Sequence, residues 1–320
     1  MKILLTGATG FIGKHFLDSL SKEHEVVALA RDVKRVDIYQ GKNCEVITGD
    51  LRNPDIFKLI PEGIELLCHA AGVLGRWGIS PETYRDVHIN GTDNLLKACV
   101  NKKISRIIYI SSAGVSGSGM IDEQSPYNPK SIYEMTKAEA EKRTLAFSKN
   151  HGIRVNILSP EFVYGEGNLH ILGLFRSIKQ GSFFLISKGE ALVHPTYIGD
   201  LVQALNLVIK SKTASDKYII AGQRSLTVRE LAGIIARSMD VDPPRISIPY
   251  PFAKAIASSF EFAADLFDFE PIFTQSRLDF FTKSKACCIK CAITELGYQP
   301  INLETGILKA VSWYKENGYL

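Results

Sequence analysis

Short apolar runs recur along the first half of the chain, each followed by a segment whose apolar residues fall three and four apart. The runs at 2–6, 25–30, 45–49, 65–69, 106–111 and 153–158 read as strands. Phe11, Ile12, Phe16, Leu17 and Leu20 have helical spacing, so 11–22 reads as a helix, and 53–60, 82–102 and 131–150 follow the same pattern. Regular β-α alternation of this kind predicts an α/β fold with a doubly wound parallel sheet. Right-handed crossovers would place the C-terminal ends of all the strands on one edge, where such sheets bind ligands. Beyond Pro160 the pattern loosens, with helices near 169–180, 198–210, 227–238 and 302–317. Residues 1–160, with contributions from about 190–225, should form the sheet domain, and 161–320 should mainly build a smaller substrate-binding lobe.

Composition narrows the class. With 320 residues, 45% hydrophobic, the chain can bury a large core. A net charge of +4, with no dense basic run, gives no case for nucleic acid. No stretch approaches the ~18–20 continuous apolar residues of a membrane span, and the apolar start is too short for a signal peptide. Of six cysteines, Cys287, Cys288 and Cys291 lie close together but lack a second ligand cluster, so no metal is expected. Reduced thiols and a cytoplasmic location fit best.

The first chemical motif is Thr6-Gly7-Ala8-Thr9-Gly10-Phe11-Ile12-Gly13, on a strand-to-helix turn. Gly7 permits the tight turn, Gly10 lets backbone approach a pyrophosphate, and Gly13 allows close helix–strand packing. The helix N-terminus adds N–H donors and positive potential, with Thr9, Phe11 and Ile12 beside it. Arg31 follows the second strand, where an acidic residue would favour NAD; an arginine there suits the 2′-phosphate of NADP. Lys34 and Arg35 add charge nearby. Asp50 and Leu51 follow the third strand, with Asp50 placed to read an adenine amino group. Ala70, Ala71 and Gly72 follow the fourth and offer small residues for a cofactor lying on the backbone.

The second motif is Tyr133-Glu134-Met135-Thr136-Lys137. Tyr133 and Lys137 are i and i+4 on a helix and share a face. A phenol near pKa ~10 is a poor base at neutral pH, and a nearby ammonium is expected to lower it. Tyr133 then exchanges a proton with a substrate oxygen while hydride moves at the same carbon. Ser112, at the end of the fifth strand, would orient that oxygen. Asn90 would hold a water that relays protons from Lys137.

With these pieces in hand, the sequence resembles the extended short-chain dehydrogenase/reductase family. The matching segments are TGATGFIG at 6–13, GDL at 49–51, HAAG at 69–72, NGTDNLLKAC at 90–99, YISSAGVSG at 109–117, YEMTK at 133–137, SPEFVYGEG at 159–167 and the closing 296–320. The resemblance covers essentially the whole chain. It implies a Rossmann-type fold, a nicotinamide cofactor and homodimers. It places Ser112, Tyr133, Lys137 and Asn90 in the roles above, with cofactor contacts at Pro160 and Val163 and substrate contacts at Glu161 and Tyr164.

Within that family the sequence leans away from the nucleotide-sugar epimerases and dehydratases and toward the steroid dehydrogenase-like and dihydroflavonol reductase-like branch. The sugar-nucleotide branch commonly carries an arginine shortly before a Tyr-Val-Asp-Asp segment; here Leu192–Asp200 contains none, and Ser159 replaces the arginine of the usual Leu-Arg-Pro. Without those cations a diphosphate is less well held. Gly75-Arg76-Trp77-Gly78 resembles a pocket loop of the other branch, with Trp77 as part of the substrate wall. Segment 270–277 has the same resemblance, and 252–269 reads as an amphipathic lid or core helix. The sequence thus predicts an NADP-preferring reductase or dehydrogenase for a small, fairly apolar substrate, with an epimerase or dehydratase holding NAD as the alternative.

Overall fold

The strand β1 (Lys2–Thr6) is central because both its faces are apolar: Ile3, Leu4 and Leu5 have no solvent exposure. In the computed structural model, which describes residues 1–32, 43–75, 77–212, 216–267, 269, 271 and 273–320, it pairs in parallel with β2 (Glu25–Ala30). The strand β3 (Cys44–Thr48) continues that side. On the other side lie β4 (Leu66–His69) and β5 (Arg106–Ile110). The short β6 (Gly119–Ile121) stands outside this sheet, and β7 (Arg154–Pro160) pairs with β5. A seventh strand, Lys217–Ile220, closes the order as 217–220, β7, β5, β4, β1, β2, β3, all parallel.

Alternation along the strands feeds two cores. The helix α1 (Phe11–Leu20) packs Phe16, Leu17 and Leu20 against Ile3, Leu5, Val26 and Ala28 on one face. The helix α2 (Pro81–Arg85) leads into α3 (Gly91–Asn101), whose Leu95, Leu96 and Cys99 join Leu4, Val27, Leu67 and Ile107 on the other. Burying each such side chain is worth about 1.5–3 kcal/mol. The helix α4 (Ile132–His151) begins at a Ser131/Glu134 capping box and ends at Gly152, whose φ of 64° suits glycine.

The expected strands and the helices at 11–22, 131–150, 198–210, 227–238 and 302–317 agree with the structure to within two residues, and the one at 169–180 shortens to Leu172–Lys179, with three larger differences. The 82–102 segment is not one helix: a five-residue π turn, Asp86–Asn90, separates α2 from α3. Apolar spacing does not register the extra residue of such a turn. The expected helix at 53–60 contracts to a 3₁₀ turn, Ile56–Leu59, after Asn53 takes the Asp55 N–H onto its side chain. The seventh strand, Lys217–Ile220, has no counterpart among the expected strands; it lies beyond Pro160, where the regular β-α alternation has already loosened.

In the C-terminal half, the strand Lys285–Cys287 pairs in parallel with β6, opposing Lys285 to Gly119. This pairing carries the second half of the chain onto the segment that follows Ser112. The helix Tyr250–Phe267 turns Ala253, Ala257 and Ala264 inward and leaves Phe252, Phe262 and Phe267 exposed. Among the described residues no helix is long and apolar enough to cross a membrane.

Candidate active site

Two glycines shape the turn between β1 and α1. Gly7 has a φ of 78°, and a Cβ there would stand 2.7 Å from the Ala70 and Ala71 backbone. At Gly13 a Cβ would lie 2.0 Å from the Gly7 carbonyl oxygen, so α1 packs directly under the turn. Gly10 is exposed and forms the N-cap, with no side-chain cap and no acidic residue in the first turn. The helix therefore presents open N–H donors, flanked by half-buried Thr9, Phe11 and Ile12 and facing Ala70, Ala71 and exposed Gly72. The cradle fits a dinucleotide pyrophosphate: a Cβ would collide with backbone at Gly7 and Gly13, and no side chain among the described residues caps the donors.

Arg31 is exposed at the end of β2 and adds its positive field to Asp50. Lys34 and Arg35 lie outside the described residues. The sequence reading missed Arg52. Its Nε lies 3.0 Å from both Asp50 oxygens and its Nη2 2.6 Å from Oδ2. This pairing holds the Asp50 carboxyl below the usual carboxylate range, so Asp50 is first a partner of Arg52 and only then free for an adenine. Leu51 reaches into the space above Gly91, where a Cβ would come within 1.6 Å of its Cδ1.

At the same edge β5 and α4 bring Ser112, Tyr133 and Lys137 together. The Ser112 hydroxyl accepts from Gly114 N–H at 3.1 Å and stands near enough to the Tyr133 phenol to pull its pKa down. The expected lowering of Tyr133 by Lys137 does not hold in this geometry. Burial pushes the phenol up to about 12; Ser112 opposes this, while the Glu161 and Glu134 carboxyls add to it. Lys137 is 4% exposed, donates to the Ile110 carbonyl at 2.6 Å and lies 4.2 Å from the Tyr109 ring centre. Its burial brings the ammonium down to about 7, against the pull of Glu141. Dehydration is the largest cause of both shifts.

Asn90 is not brought into this cluster. It is exposed at the end of the π turn and donates to Asp86 at 2.9 Å, because the extra residue of the turn rotates it outward. The inward position belongs to His88, which sequence reasoning missed. Its Nε2 accepts from Val73 N–H at 3.0 Å, so its Nδ1 carries the proton donated to Thr136 Oγ1 at 2.8 Å. Its ring meets the Tyr133 ring edge-on at 5.6 Å, and burial, with Lys137, lowers its pKa to about 3, keeping it neutral. Thr92 ties the His88 carbonyl to His69, and His69 in turn bonds Thr6 at 2.7 Å. A buried chain of side chains thus joins the glycine turn to the helix bearing Tyr133.

Of the remaining expected residues, Trp77 is 37% exposed on the loop after β4, and Arg76 lies outside the described residues. Pro160 is buried at the end of β7, and Val163 is half-buried just beyond. Glu161 is 5% exposed at the end of β7, and its carboxyl, raised by burial, lies in the field of Tyr133. Tyr164 is not brought to the cluster: its ring packs against Tyr197, and its hydroxyl fills the space over Gly306, in the interior of the second lobe. His194, where a sugar-nucleotide enzyme would carry its arginine, binds the Gly222 carbonyl and the Cys287 N–H instead. Among the described residues no group of three or more His, Cys, Asp or Glu is arranged for a metal.

Comparison with known proteins decides the family. The model of the NAD dependent epimerase/dehydratase family matches residues 3–221. The chain belongs to that family. It is an enzyme of the extended short-chain dehydrogenase/reductase type. Short-chain dehydrogenase/reductase family 42E member 1 of Xenopus laevis is 24% identical, covering 99% of this chain and 89% of its own length. The decarboxylating sterol-4-alpha-carboxylate 3-dehydrogenase of Candida albicans is 27% identical, covering 98% of both. The crystal structure of UDP-glucuronic acid 4-epimerase from Bacillus cereus with NAD has a TM-score of 0.80 over 99% of both chains, at 23% identity, a likeness of fold. Proteins similar to this chain thus carry both dehydrogenase and epimerase names.

Proposed function

We propose that this family member is an oxidoreductase that prefers NADP and interconverts a secondary alcohol and a ketone on a small, mainly apolar substrate. The observation that carries this reading is the meeting of Ser112 and the Tyr133 phenol beside the open glycine turn. Bound nicotinamide would supply or accept the hydride. Gly7, Gly10 and Gly13 with Thr9, Phe11 and Ile12 would hold its pyrophosphate; Ala70, Ala71, Gly72, Pro160 and Val163 would line its path. Residues 1–160, with about 190–225, hold the cofactor in this reading, and 161–320 mainly bound the substrate.

Ser112 fixes the substrate oxygen. Tyr133, neutral at neutral pH because its pKa is raised to about 12, donates its proton to that oxygen in the reducing direction. Lys137, one helical turn from Tyr133 and anchored on the Ile110 carbonyl, titrates near 7. His88 takes the inward place expected of Asn90, holding the Tyr133 ring against the loop after β4. Exposed Arg31, with Arg52 close to Asp50, supports a 2′-phosphate at the adenosine end.

The rival reading, an epimerase or dehydratase retaining NAD, draws on the same fold likeness to UDP-glucuronic acid 4-epimerase. It is weakened by His194, a neutral tether where a diphosphate clamp would be needed. Replacement Tyr133→Phe tests the mechanism. Turnover of a carbonyl identified by NADPH-coupled screening should fall by at least about a thousandfold, in line with losing an acid–base group and its hydrogen bond. NADPH affinity should stay unchanged. A variant that keeps its turnover would refute the role of Tyr133.

A further inference from the structure

The helix Tyr250–Phe267 rests on the second lobe along a narrow line. Ala253, Ala257 and Ala264 are buried, and Ala253 shares a small cluster with Ile186 and Leu278. The opposite side is apolar too: Phe252 is 67% exposed, Phe262 72%, Leu266 64% and Phe267 72%. A whole aromatic side chain offers about 200 Å². On that scale the six exposed aromatics from Tyr250 to Phe269 show roughly 650 Å² to solvent, and Ile256 and Leu266 bring the face to roughly 800 Å². The largest apolar patch on a monomer is about 300–600 Å², whereas each partner in a stable complex covers about 800 Å². This face has the area of an interface.

The pattern on that face says what covers it. Phe252, Ala255, Ser259, Phe262 and Leu266 follow steps of three, four, three and four, and all five are exposed. Such spacing forms one seam along a helix, the a and d positions of a heptad. The seam has no charged residue. Lys254 and Glu261 lie off it, and Glu261 is turned to Gln275, accepting from its backbone N–H at 2.8 Å and from its Nε2 at 2.9 Å. Antiparallel pairing sets the a positions of one helix against the d positions of another. With a two-fold axis between Phe260 and Glu261, Phe262 meets Ser259 of the second copy and Leu266 meets Ala255 of the second copy. Large side chains then face small ones at the central levels, as close packing requires.

We infer that this face binds a second copy of the chain, the helix Tyr250–Phe267 pairing with its own copy in antiparallel, two-fold fashion. A two-fold contact lets one patch complete itself, because each copy offers the same seam in the opposite direction. A lipid surface fits less well. The helix carries one lysine, no arginine and two acidic residues, so it has no basic cluster for anionic headgroups. The inference concerns which face pairs, and it is independent of the chemistry at Tyr133.

The test is sedimentation velocity on the full chain in detergent-free buffer, from about 1 to about 100 μM. The wild type should be mainly dimeric by about 10 μM, as an interface of this size allows. Phe262→Glu and Ser259→Lys should each raise the dimer Kd at least about thirtyfold, through loss of a central aromatic or burial of a charge in the seam. Both positions are exposed, so the circular dichroism of each variant should match the wild type. Mixed in equal amounts, the two variants should pair again, because the introduced carboxylate then faces the introduced ammonium. A wild type that stays monomeric at about 100 μM, or a dimer indifferent to both variants, would overturn the inference. Monomers that bind phosphatidylcholine vesicles, and lose that binding in Phe262→Glu, would overturn it in favour of a lipid surface. Variants that dissociate but fail to pair on mixing would overturn the antiparallel register that defines it.

Discussion

Replacing Glu141 tests how the sheet holds the reactive edge in place. Glu141 lies one helical turn beyond Lys137 and has no solvent exposure. Its carboxylate accepts from Ser111 Oγ, from the Tyr127 hydroxyl at 2.9 Å and from Lys217 Nζ at 2.8 Å. These donors come from the end of β5, the loop before α4 and the seventh strand, so one carboxylate ties three elements together. Glu141→Leu would leave the Lys217 ammonium, with its side chain 12% exposed, against a methyl group. Breaking a buried pair from one side costs about 3–5 kcal/mol. Lys217→Met is the milder cut, because two hydroxyl donors still serve Glu141. The double variant should recover part of the loss, with a coupling energy of about 0.5–3 kcal/mol. Urea unfolding of the four proteins measures all of these quantities. A Glu141→Leu loss under about 1 kcal/mol, or strictly additive single losses, would refute the claim that this pair organises the edge.

Gly13→Ala should abolish NADPH binding and cost about 1–3 kcal/mol of stability, since its Cβ would meet the Gly7 carbonyl at 2.0 Å; fluorescence titration and urea melts check both effects. Lys137 should titrate near 7 in the cofactor-free protein, seen by NMR of ¹³C-labelled lysine, and a value above about 10 would contradict its burial. Because the folded pKa lies below the unfolded one, the unfolded chain binds more protons between pH about 7 and the unfolded value of 10.5. Lys137 therefore makes stability rise with pH across that window, and Lys137→Met should flatten the rise. Arg31→Ala should weaken NADPH by about tenfold while leaving NADH nearly unchanged, as expected from losing one charge-assisted contact to a 2′-phosphate; equal losses would remove Arg31 from cofactor choice.

Much of the fold was legible because burial on both faces writes itself into the sequence. Ile3, Leu4 and Leu5 read as a strand for the same reason that they have no exposure. The glycine turn was legible because Gly7 and Gly13 are positions where a Cβ collides with backbone. The differences arise where position depends on three-dimensional packing. Asn90 and His88 are two residues apart, and only the π turn decides which faces Tyr133. Tyr164 lies within a matching motif, but the helix Leu303–Glu316 claims it from far along the chain. Lys285 was invisible because a strand pairing across more than 160 residues brings it to β6. The titration of Tyr133 could not be read from its spacing to Lys137, since burial is the largest cause of its shift.

An exchanging reductase that prefers NADP releases its nicotinamide at each turnover and binds one with a 2′-phosphate. The most direct measurement is to denature the purified protein, identify any released nucleotide by mass spectrometry, and titrate the protein with NADPH and NADH. Little bound nucleotide and tighter binding of NADPH are expected. One equivalent of NAD released per chain would contradict it and assign the cluster around Tyr133 to an epimerase or dehydratase.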